Sequence, residues 1–142
     1  MLVSSGQTVF APAFAALHKQ CFDHPWSVAE WSDLLHLPTT IGWLTEQSFL
    51  LCSHVADEME ILTIGVIPSA RRQGIASALL QELLTYARAQ GVHRVFLEVS
   101  AHNPAAQALY ARYGFVRTGT RPNYYQTSSG LVDALCLTCP LN

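Results

Sequence analysis

Val66-Ile67-Pro68-Ser69-Ala70-Arg71-Arg72-Gln73-Gly74-Ile75-Ala76 is the stretch that decides the fold. It joins the end of an apolar run to the start of a long helical pattern. The exposed N–H groups and the positive end of a helix N-terminus attract anions. Gly74 leaves room for a ligand beside the backbone, and Ala76 keeps a second position small. The stretch therefore predicts an anion-binding turn, although an ordinary strand-to-helix turn with surface arginines fits the same local features.

Two common phosphate-binding signatures are absent from this turn. A P-loop requires GxxxxGK[ST] and a dinucleotide-binding turn requires GxGxxG, whereas Gly74 is the only glycine of the segment. A nucleotide-binding site of either kind is therefore not predicted.

The residues before the turn predict two helices and three strands. Apolar positions at helical spacing indicate a helix over residues 11 to 22. Ser27 and Glu30 match a capping box, and Trp26 and Trp31 are placed for a hydrophobic staple, so a second helix is expected from Val28 to before Pro38. Short β-type runs follow at residues 41 to 45, 49 to 55 and 60 to 66, which indicates an antiparallel meander.

The residues after the turn predict a crossover. A wide apolar stripe over residues 72 to 90 indicates a helix that ends at Gly91. The nearly continuous apolar run of residues 95 to 99 predicts a strand parallel to residues 60 to 66. Asn103 and Pro104 open a further helix, and two last strands are expected near residues 115 to 120 and 131 to 137, with a polar loop between them.

Length and composition bound the class of protein. Residues 1 to 142 match the common size of one domain, so a single domain is expected. Half of the residues are hydrophobic and 13% are charged, which excludes a disordered chain. The apolar runs are too short to cross a bilayer, and no cation precedes the apolar run of residues 9 to 17 as in a secretory signal. A cytoplasmic protein with no membrane partner is expected.

The cysteine spacing and the charge distribution indicate which ligands and partners are expected. Cys136 and Cys139 have CxxC spacing, but no second pair of ligands completes a zinc site, so free thiols and no metal are expected. Residues 1 to 70 carry a net charge of −6 and residues 71 to 142 a net charge of +4, which indicates one half facing an anion and the other facing a cationic partner. The cations are mostly spread singly, and direct nucleic-acid binding is not expected.

Two separate motifs of this sequence resemble the GNAT superfamily of acyl-CoA-dependent N-acetyltransferases. They occur in the same order as in that family. Arg71-x-x-Gly74-x-Ala76 matches the R/Q-x-x-G-x-G/A signature, and Asn103-Pro104-Ala105-Ala106 leads through Leu109-Tyr110 to Tyr113-Gly114-Phe115. The resemblance implies a GNAT-like α/β fold: a mixed sheet with antiparallel N-terminal strands and a central β-α-β crossover. It also implies that acetyl-CoA is the cosubstrate.

The resemblance further implies which residues contact acetyl-CoA. The backbone of the turn would hold the pyrophosphate, one strand would run beside the pantetheine, and Asn103 would touch the cofactor. The implied turn residues are Arg71, Arg72, Gln73, Gly74, Ile75, Ala76 and Ser77, and the implied strand residues are Ile64, Gly65 and Val66.

A narrower resemblance concerns the acceptor. His24-Pro25-Trp26-Ser27, Leu97-Glu98-Val99 and Asn123-Tyr124-Tyr125 are similar to the bacterial ribosomal-protein alanine N-acetyltransferases, which acetylate a protein's N-terminal amine. The implied partner is the N-terminal segment of a basic protein such as a ribosomal protein. Tyr124 and Tyr125 are the expected acceptor contacts, with surface or dimer-contact aromatics as the alternative. Where that branch has an acid before Asp-Ala, this chain has Val132.

Glu98 is the candidate general base. It is a carboxylate inside an otherwise apolar strand, where burial disfavours the charged form and strengthens the base. The resemblance also places the base here. The alternative is an edge-strand glutamate that faces water or pairs with Arg94. An α-amine titrates at about 7.7 to 8.0 and a lysine at about 10.4, so an N-terminal acceptor demands less of a base.

Tyr110 is the candidate acid for the departing thiolate. It follows Asn103 by two helical turns, which brings both residues onto one face; a core tyrosine, as expected for Tyr113, is the alternative. Full proton transfer from a tyrosine to a thiolate is uphill by about 2 kcal/mol, so Tyr110 is expected to stabilise the thiolate first by hydrogen bonding. A backbone N–H on the strand Ile64 to Val66 is the expected oxyanion contact, and Gly65 is expected to mark either a bulge or a close ligand approach.

Two other functions remain open at this point. One is a GNAT enzyme that acts on a lysine or a small-molecule amine. The other is a CoA-binding module without turnover, against which the presence of Glu98 and Tyr110 argues.

Overall fold

A computed structural model describes residues 1–141 and contains one mixed sheet of seven strands. Short 3-10 helices at Thr8–Phe10 and Pro68–Ala70 precede the first and third α-helices. The strands and α-helices follow in the order β1 (Leu2–Ser4), α1 (Ala11–Cys21), α2 (Val28–His36), β2 (Thr40–Leu44), β3 (Ser48–Val55), β4 (Glu58–Val66), α3 (Ile75–Ala89), β5 (Arg94–Ser100), α4 (Pro104–Arg112), β6 (Val116–Thr127) and β7 (Gly130–Pro140).

The sheet confirms the predicted topology. Its strand order is β1-β2-β3-β4-β5-β7-β6. The β4 and β5 strands pair in parallel across the α3 crossover, and the other neighbours are antiparallel. The antiparallel N-terminal strands and the central β-α-β unit are those expected from the residues.

Each face of the sheet is covered by a separate apolar cluster. Leu80 and Leu83 of α3 pack with Met59 and Val95 on one face. On the other face, α1 and α2 pack with β3, and the rings of Phe14 and Trp31 stack with centroids 4.7 Å apart. No helix within residues 1–141 is long and apolar enough to span a membrane.

The start of α2 confirms the predicted capping box and staple. The Ser27 hydroxyl accepts a hydrogen bond from the Glu30 N–H at 3.1 Å, and the Glu30 carboxylate accepts one from the Ser27 N–H at 3.1 Å. The rings of Trp26 and Trp31 lie 5.2 Å apart. These contacts fix the angle at which the segment between α1 and α2 enters the helix.

His18 of α1 holds the segment between α1 and α2 against the core. It is 3% exposed, and its Nδ1 accepts a hydrogen bond from the Trp26 N–H at 3.0 Å. Its ring stacks on Phe22 and Trp26, with centroids 4.5 and 4.7 Å away. Burial lowers the pKa of His18 from 6.5 to about 4, although the charge of Glu30 opposes the shift.

Acidification is expected to destabilise the fold through His18. The unfolded imidazole binds a proton below about pH 6.5, whereas the folded one does so only below about 4. Between these values the free energy of unfolding should fall by about 1.4 kcal/mol per pH unit from this group, and the contribution is complete above pH ~6.5. Urea unfolding of the wild type and of His18→Gln, which cannot titrate, measures it. Equal pH dependence in the two proteins would contradict the assignment.

The C-terminal hairpin differs from the prediction. The β6 and β7 strands continue through most of the residues expected to form a polar loop. Their register shifts between Arg121 and Tyr125, and Asn123 adopts a φ of +54° there. This irregularity accommodates Pro122 and Asn123, so pairing with β7 overrides their low strand propensity. The three-residue β1 was not predicted.

Candidate active site

The β4 and β5 strands separate after three residue pairs. Pairing runs from Glu58 with Arg94 to Glu60 with Phe96, although both strands extend well beyond these pairs. On its other edge, β4 shifts register against β3 so that Leu62 has no partner, which is a β-bulge. A bulge bends its strand, and the result is an opening in the sheet between β4 and β5.

Two backbone N–H groups of β4 face this opening. The Ile67 N–H donates to the Gln47 carbonyl at 2.9 Å, so Ile67 turns its backbone groups toward β3, and Gly65, two residues earlier on the strand, faces the same edge. Successive residues of a strand turn theirs to alternate edges. Ile64 and Val66 therefore direct their N–H groups into the opening, where they can stabilise a negative oxygen.

Gly65 does not mark the bulge, so that part of the sequence prediction is wrong. A Cβ at this position would lie 2.5 Å from a ring carbon of Phe49 and 3.2 Å from the Cys21 sulfur. Glycine is required here because a buried ring covers the backbone. The bulge lies three residues earlier, at Leu62.

The turn between β4 and α3 leaves the N-terminus of α3 without a side-chain cap. Arg72 and Gly74 have φ values of +65° and +77°, and Gly74 occupies the N-cap position. The helix begins with the hydrogen bond from the Ala78 N–H to the Gly74 carbonyl at 3.0 Å. The first-turn N–H groups of Ile75, Ala76 and Ser77 are therefore available to a ligand at the positive end of a 15-residue helix.

Arg71 braces this turn. Its Nε donates to the Val66 carbonyl at 3.0 Å, and the Cys21 thiol donates to the same carbonyl at 3.4 Å. Arg72 and Gln73 are exposed. The turn therefore combines a fixed arginine, open backbone N–H groups and a position at the wide end of the opening, which suits an anionic phosphate.

Glu98 lies on the sheet face opposite α3. Its neighbours Leu97 and Val99 point into the α3 core, so Glu98 points away from it. Its side chain is 24% exposed, and Oε1 accepts a hydrogen bond from Arg121 Nη1 at 2.9 Å. The alternative of an edge-strand residue paired with Arg94 is wrong: β5 lies inside the sheet, and Arg94 pairs with Glu58.

Tyr110 is buried in the apolar cluster on the α3 face of the sheet. It is 5% exposed and packs against Phe115 at 5.5 Å between ring centroids. Burial raises the pKa of Tyr110, and the nearby Tyr125 and Cys52 add to the shift. The raised pKa keeps the phenol protonated at neutral pH, so its O–H remains a hydrogen-bond donor.

The ends of α4 are fixed by two polar contacts. Asn103 Oδ1 accepts a hydrogen bond from the Ala106 N–H at 3.2 Å, which confirms the predicted N-cap and leaves the amide NH₂ group to donate elsewhere. Tyr113 is not a core residue as expected. It is half-buried, and its hydroxyl accepts a hydrogen bond from Gln81 of α3 at 3.1 Å.

The irregular part of β6 carries the predicted acceptor residues. Tyr124 is 48% exposed, and the Arg121 guanidinium carbon lies 4.0 Å from its ring centroid. Tyr125 is half-buried; burial raises its pKa, and the negative charge of Glu98 adds to the shift, so the two residues are close. The Asn123 N–H donates to Asp133 at 2.9 Å, which holds the bend in place.

Sequence patterns did not single out two charged residues beside Glu98. Arg121 falls in the segment expected to be a loop. Glu60 belongs to the last β4–β5 pair; burial raises its pKa, and the negative charge of Glu98 adds to the shift. The alternation of Glu58 and Glu60 along one strand was the available signal, since it places both acids on one face.

Comparisons with known proteins agree with this geometry. The acetyltransferase (GNAT) family matches residues 11–115. The ribosomal protein bS18-alanine N-acetyltransferase of Escherichia coli K12 is 33% identical over 144 aligned positions, which cover 99% of this chain and 97% of the relative. The N-alpha-acetyltransferase RimI of Mycobacterium tuberculosis H37Rv is 51% identical over 71 residues, which cover 50% of this chain and 43% of that protein.

Solved structures agree as well. The crystal structure of the Escherichia coli ribosomal-protein-S18-alanine N-acetyltransferase superposes with a TM-score of 0.89 at 31% identity, covering 100% of this chain and 95% of that one. Arabidopsis thaliana NAA60 in complex with a bisubstrate analogue has a TM-score of 0.83 at 19% identity, covering 100% of this chain and 98% of that one, which shows a shared fold.

Proposed function

The chain belongs to the acetyltransferase (GNAT) family. We propose that it transfers the acetyl group of acetyl-CoA to the α-amine of a protein's N-terminal residue, and that this residue is the N-terminal alanine of a ribosomal protein. The opening between β4 and β5 carries the proposal, because it joins an anion-binding turn to a carboxylate on the opposite face. The full-length similarity to a ribosomal-protein alanine N-acetyltransferase supports the choice of acceptor. A ribosomal acceptor would place the reaction in the cytoplasm.

The cosubstrate fits the turn and the strand beside it. The N–H groups at the start of α3 suit the pyrophosphate, and Asn103 has an amide donor left over from its cap. The edge of β4 from Ile64 to Val66 suits the amide-rich pantetheine, since its backbone groups face the opening. Acetyl-CoA supplies the acetyl group as a thioester.

Three groups divide the chemistry. Glu98 takes the proton that the acceptor nitrogen loses as it bonds to the acetyl carbon, directly or through a water. The N–H groups of Ile64 and Val66 stabilise the negative charge that develops on the acetyl oxygen. Tyr110, still protonated, donates a hydrogen bond to the sulfur as the thiolate leaves and then supplies the proton that makes the CoA thiol.

A blocked peptide tests the acceptor. A basic peptide that begins with alanine is expected to give CoA release, whereas the same peptide with a blocked N-terminus and free lysines is expected to give none above background. Mass spectrometry of the product should place the acetyl group on the α-nitrogen.

Other outcomes would point to the other functions. Equal rates on the blocked peptide would indicate a lysine acceptor. Release with small amines alone would indicate a small-molecule enzyme, and absence of release with every amine would indicate a CoA-binding module.

A further inference from the structure

Arg121 is the basic residue that contacts the proposed base. We propose that Arg121 is a positioning residue: it aims the Glu98 carboxylate and couples it to Tyr124 on the acceptor side. The inference rests on the proposed function, since it assigns Arg121 a task at the same site.

The sheet is built to let Arg121 reach Glu98. Glu98 pairs with Cys136 of β7, and Cys136 pairs with Gly119 of β6, so the β6 residue in line with Glu98 has no side chain. Arg121 pairs with Ala134, which is also small. These small residues leave a path across β7, along which the guanidinium reaches Glu98 Oε1 at 2.9 Å.

The same guanidinium also contacts Tyr124, the exposed aromatic residue in the irregular part of β6. Its carbon lies 4.0 Å from the Tyr124 ring centroid, a distance typical of a cation–π contact. One face of the guanidinium group therefore touches Tyr124 while its edge donates to Glu98. A peptide that displaces or covers Tyr124 acts on the group that orients the base.

The charges around Glu98 give Arg121 a second task. Glu60 faces Glu98 from β4, Tyr125 from β6 and Cys136 from β7, and the basic group among these neighbours is Arg121. Burial raises the pKa of Glu60, and the negative charge of Glu98 adds to the shift. The guanidinium of Arg121 offsets the repulsion between the two carboxylates, because it places a positive charge 2.9 Å from Glu98 Oε1.

The test compares two substitutions at Arg121 with a control on the same strand. Arg121→Ala removes both the positive charge and the planar set of guanidinium N–H donors, whereas Arg121→Lys keeps the charge but not that set of donors. Arg117→Ala is the control, because Arg117 is an exposed arginine of β6 that bonds Thr120 at 2.5 Å and does not reach Glu98. The readouts are the side-chain carboxyl ¹³C chemical shift of Glu98 at one fixed pH, the separate values of kcat and KM for the alanine-starting peptide and acetyl-CoA, and thermal unfolding.

The expected results separate the effect of the positive charge of Arg121 from the effect of its hydrogen-bond geometry. Arg121→Ala should change the carboxyl ¹³C chemical shift of Glu98 and lower kcat about tenfold, with little change in the KM for acetyl-CoA. Arg121→Lys should restore kcat only in part, and Arg117→Ala should match the wild type.

An unchanged Glu98 carboxyl chemical shift in Arg121→Ala, with normal unfolding, would overturn the inference. The NMR measurement needs no acceptor, so it decides the question even if the wild type fails to acetylate any α-amine. That failure would overturn the proposed function instead.

Discussion

Glu98→Gln is expected to lower kcat for an alanine-starting peptide by about 10²- to 10⁴-fold, the usual range for loss of a general base. Glutamine keeps the shape of the side chain and can still accept the 2.9 Å hydrogen bond from Arg121, but it cannot take a proton. The KM for acetyl-CoA should change little, because Glu98 lies on the opposite face of the sheet from α3. Steady-state CoA release measures both quantities.

Glu58→Gln is the matched control. Glu58 also carries an ion pair on this sheet, with Arg94, but it lies at the closed end of the β4–β5 pair. Its loss should leave kcat near that of the wild type. If Glu98→Gln kept kcat within about threefold of the wild type, well short of the range for a general base, Glu98 would not be the base.

Gly74→Ala is expected to weaken acetyl-CoA binding by about tenfold or more, equivalent to about 1.4 kcal/mol. The residue combines a φ of +77° with open space where a Cβ would stand, directly in front of the first turn of α3. The methyl group would occupy the volume through which the pyrophosphate approaches the N–H groups. Isothermal titration with CoA gives the affinity.

Gly91→Ala separates this effect from backbone strain. Gly91 follows the other end of α3, with a φ of +73° and equally open space around its missing Cβ. Both substitutions should therefore cost about 1 to 2 kcal/mol of stability, and only Gly74→Ala should weaken CoA binding. An equal loss of affinity in the two variants would mean that the turn does not hold CoA.

The parts of the fold that the residues predicted are those with local causes. The start of α2 follows from Ser27 and Glu30, because a capping box satisfies its own backbone groups. The β4-α3-β5 crossover follows from periodicity and handedness. The extent of β6 was not predictable in this way, because its pairing with β7 on both sides of Pro122 and Asn123 is a tertiary effect.

The candidate site also contains both kinds of residue: some were predicted from local sequence, and others are placed by tertiary contacts that the sequence does not show. Gly74 and Asn103 were predicted at helix ends, and the structure places them there. The bulge expected at Gly65 was wrong, and the glycine there is explained by the ring of Phe49, which lies 16 positions away. Arg121 and Glu98 are separated by 23 positions, and only the register of three strands brings them together.

The bend in β6 has a consequence for solubility. A terminal strand of 12 residues presents a row of unpaired backbone groups, on which strands of other molecules can stack into aggregates. Pro122 lacks an N–H group, and Asn123 turns the chain out of the strand plane at a φ of +54°. The residues that shape the proposed acceptor side therefore also interrupt a template for intermolecular β-pairing.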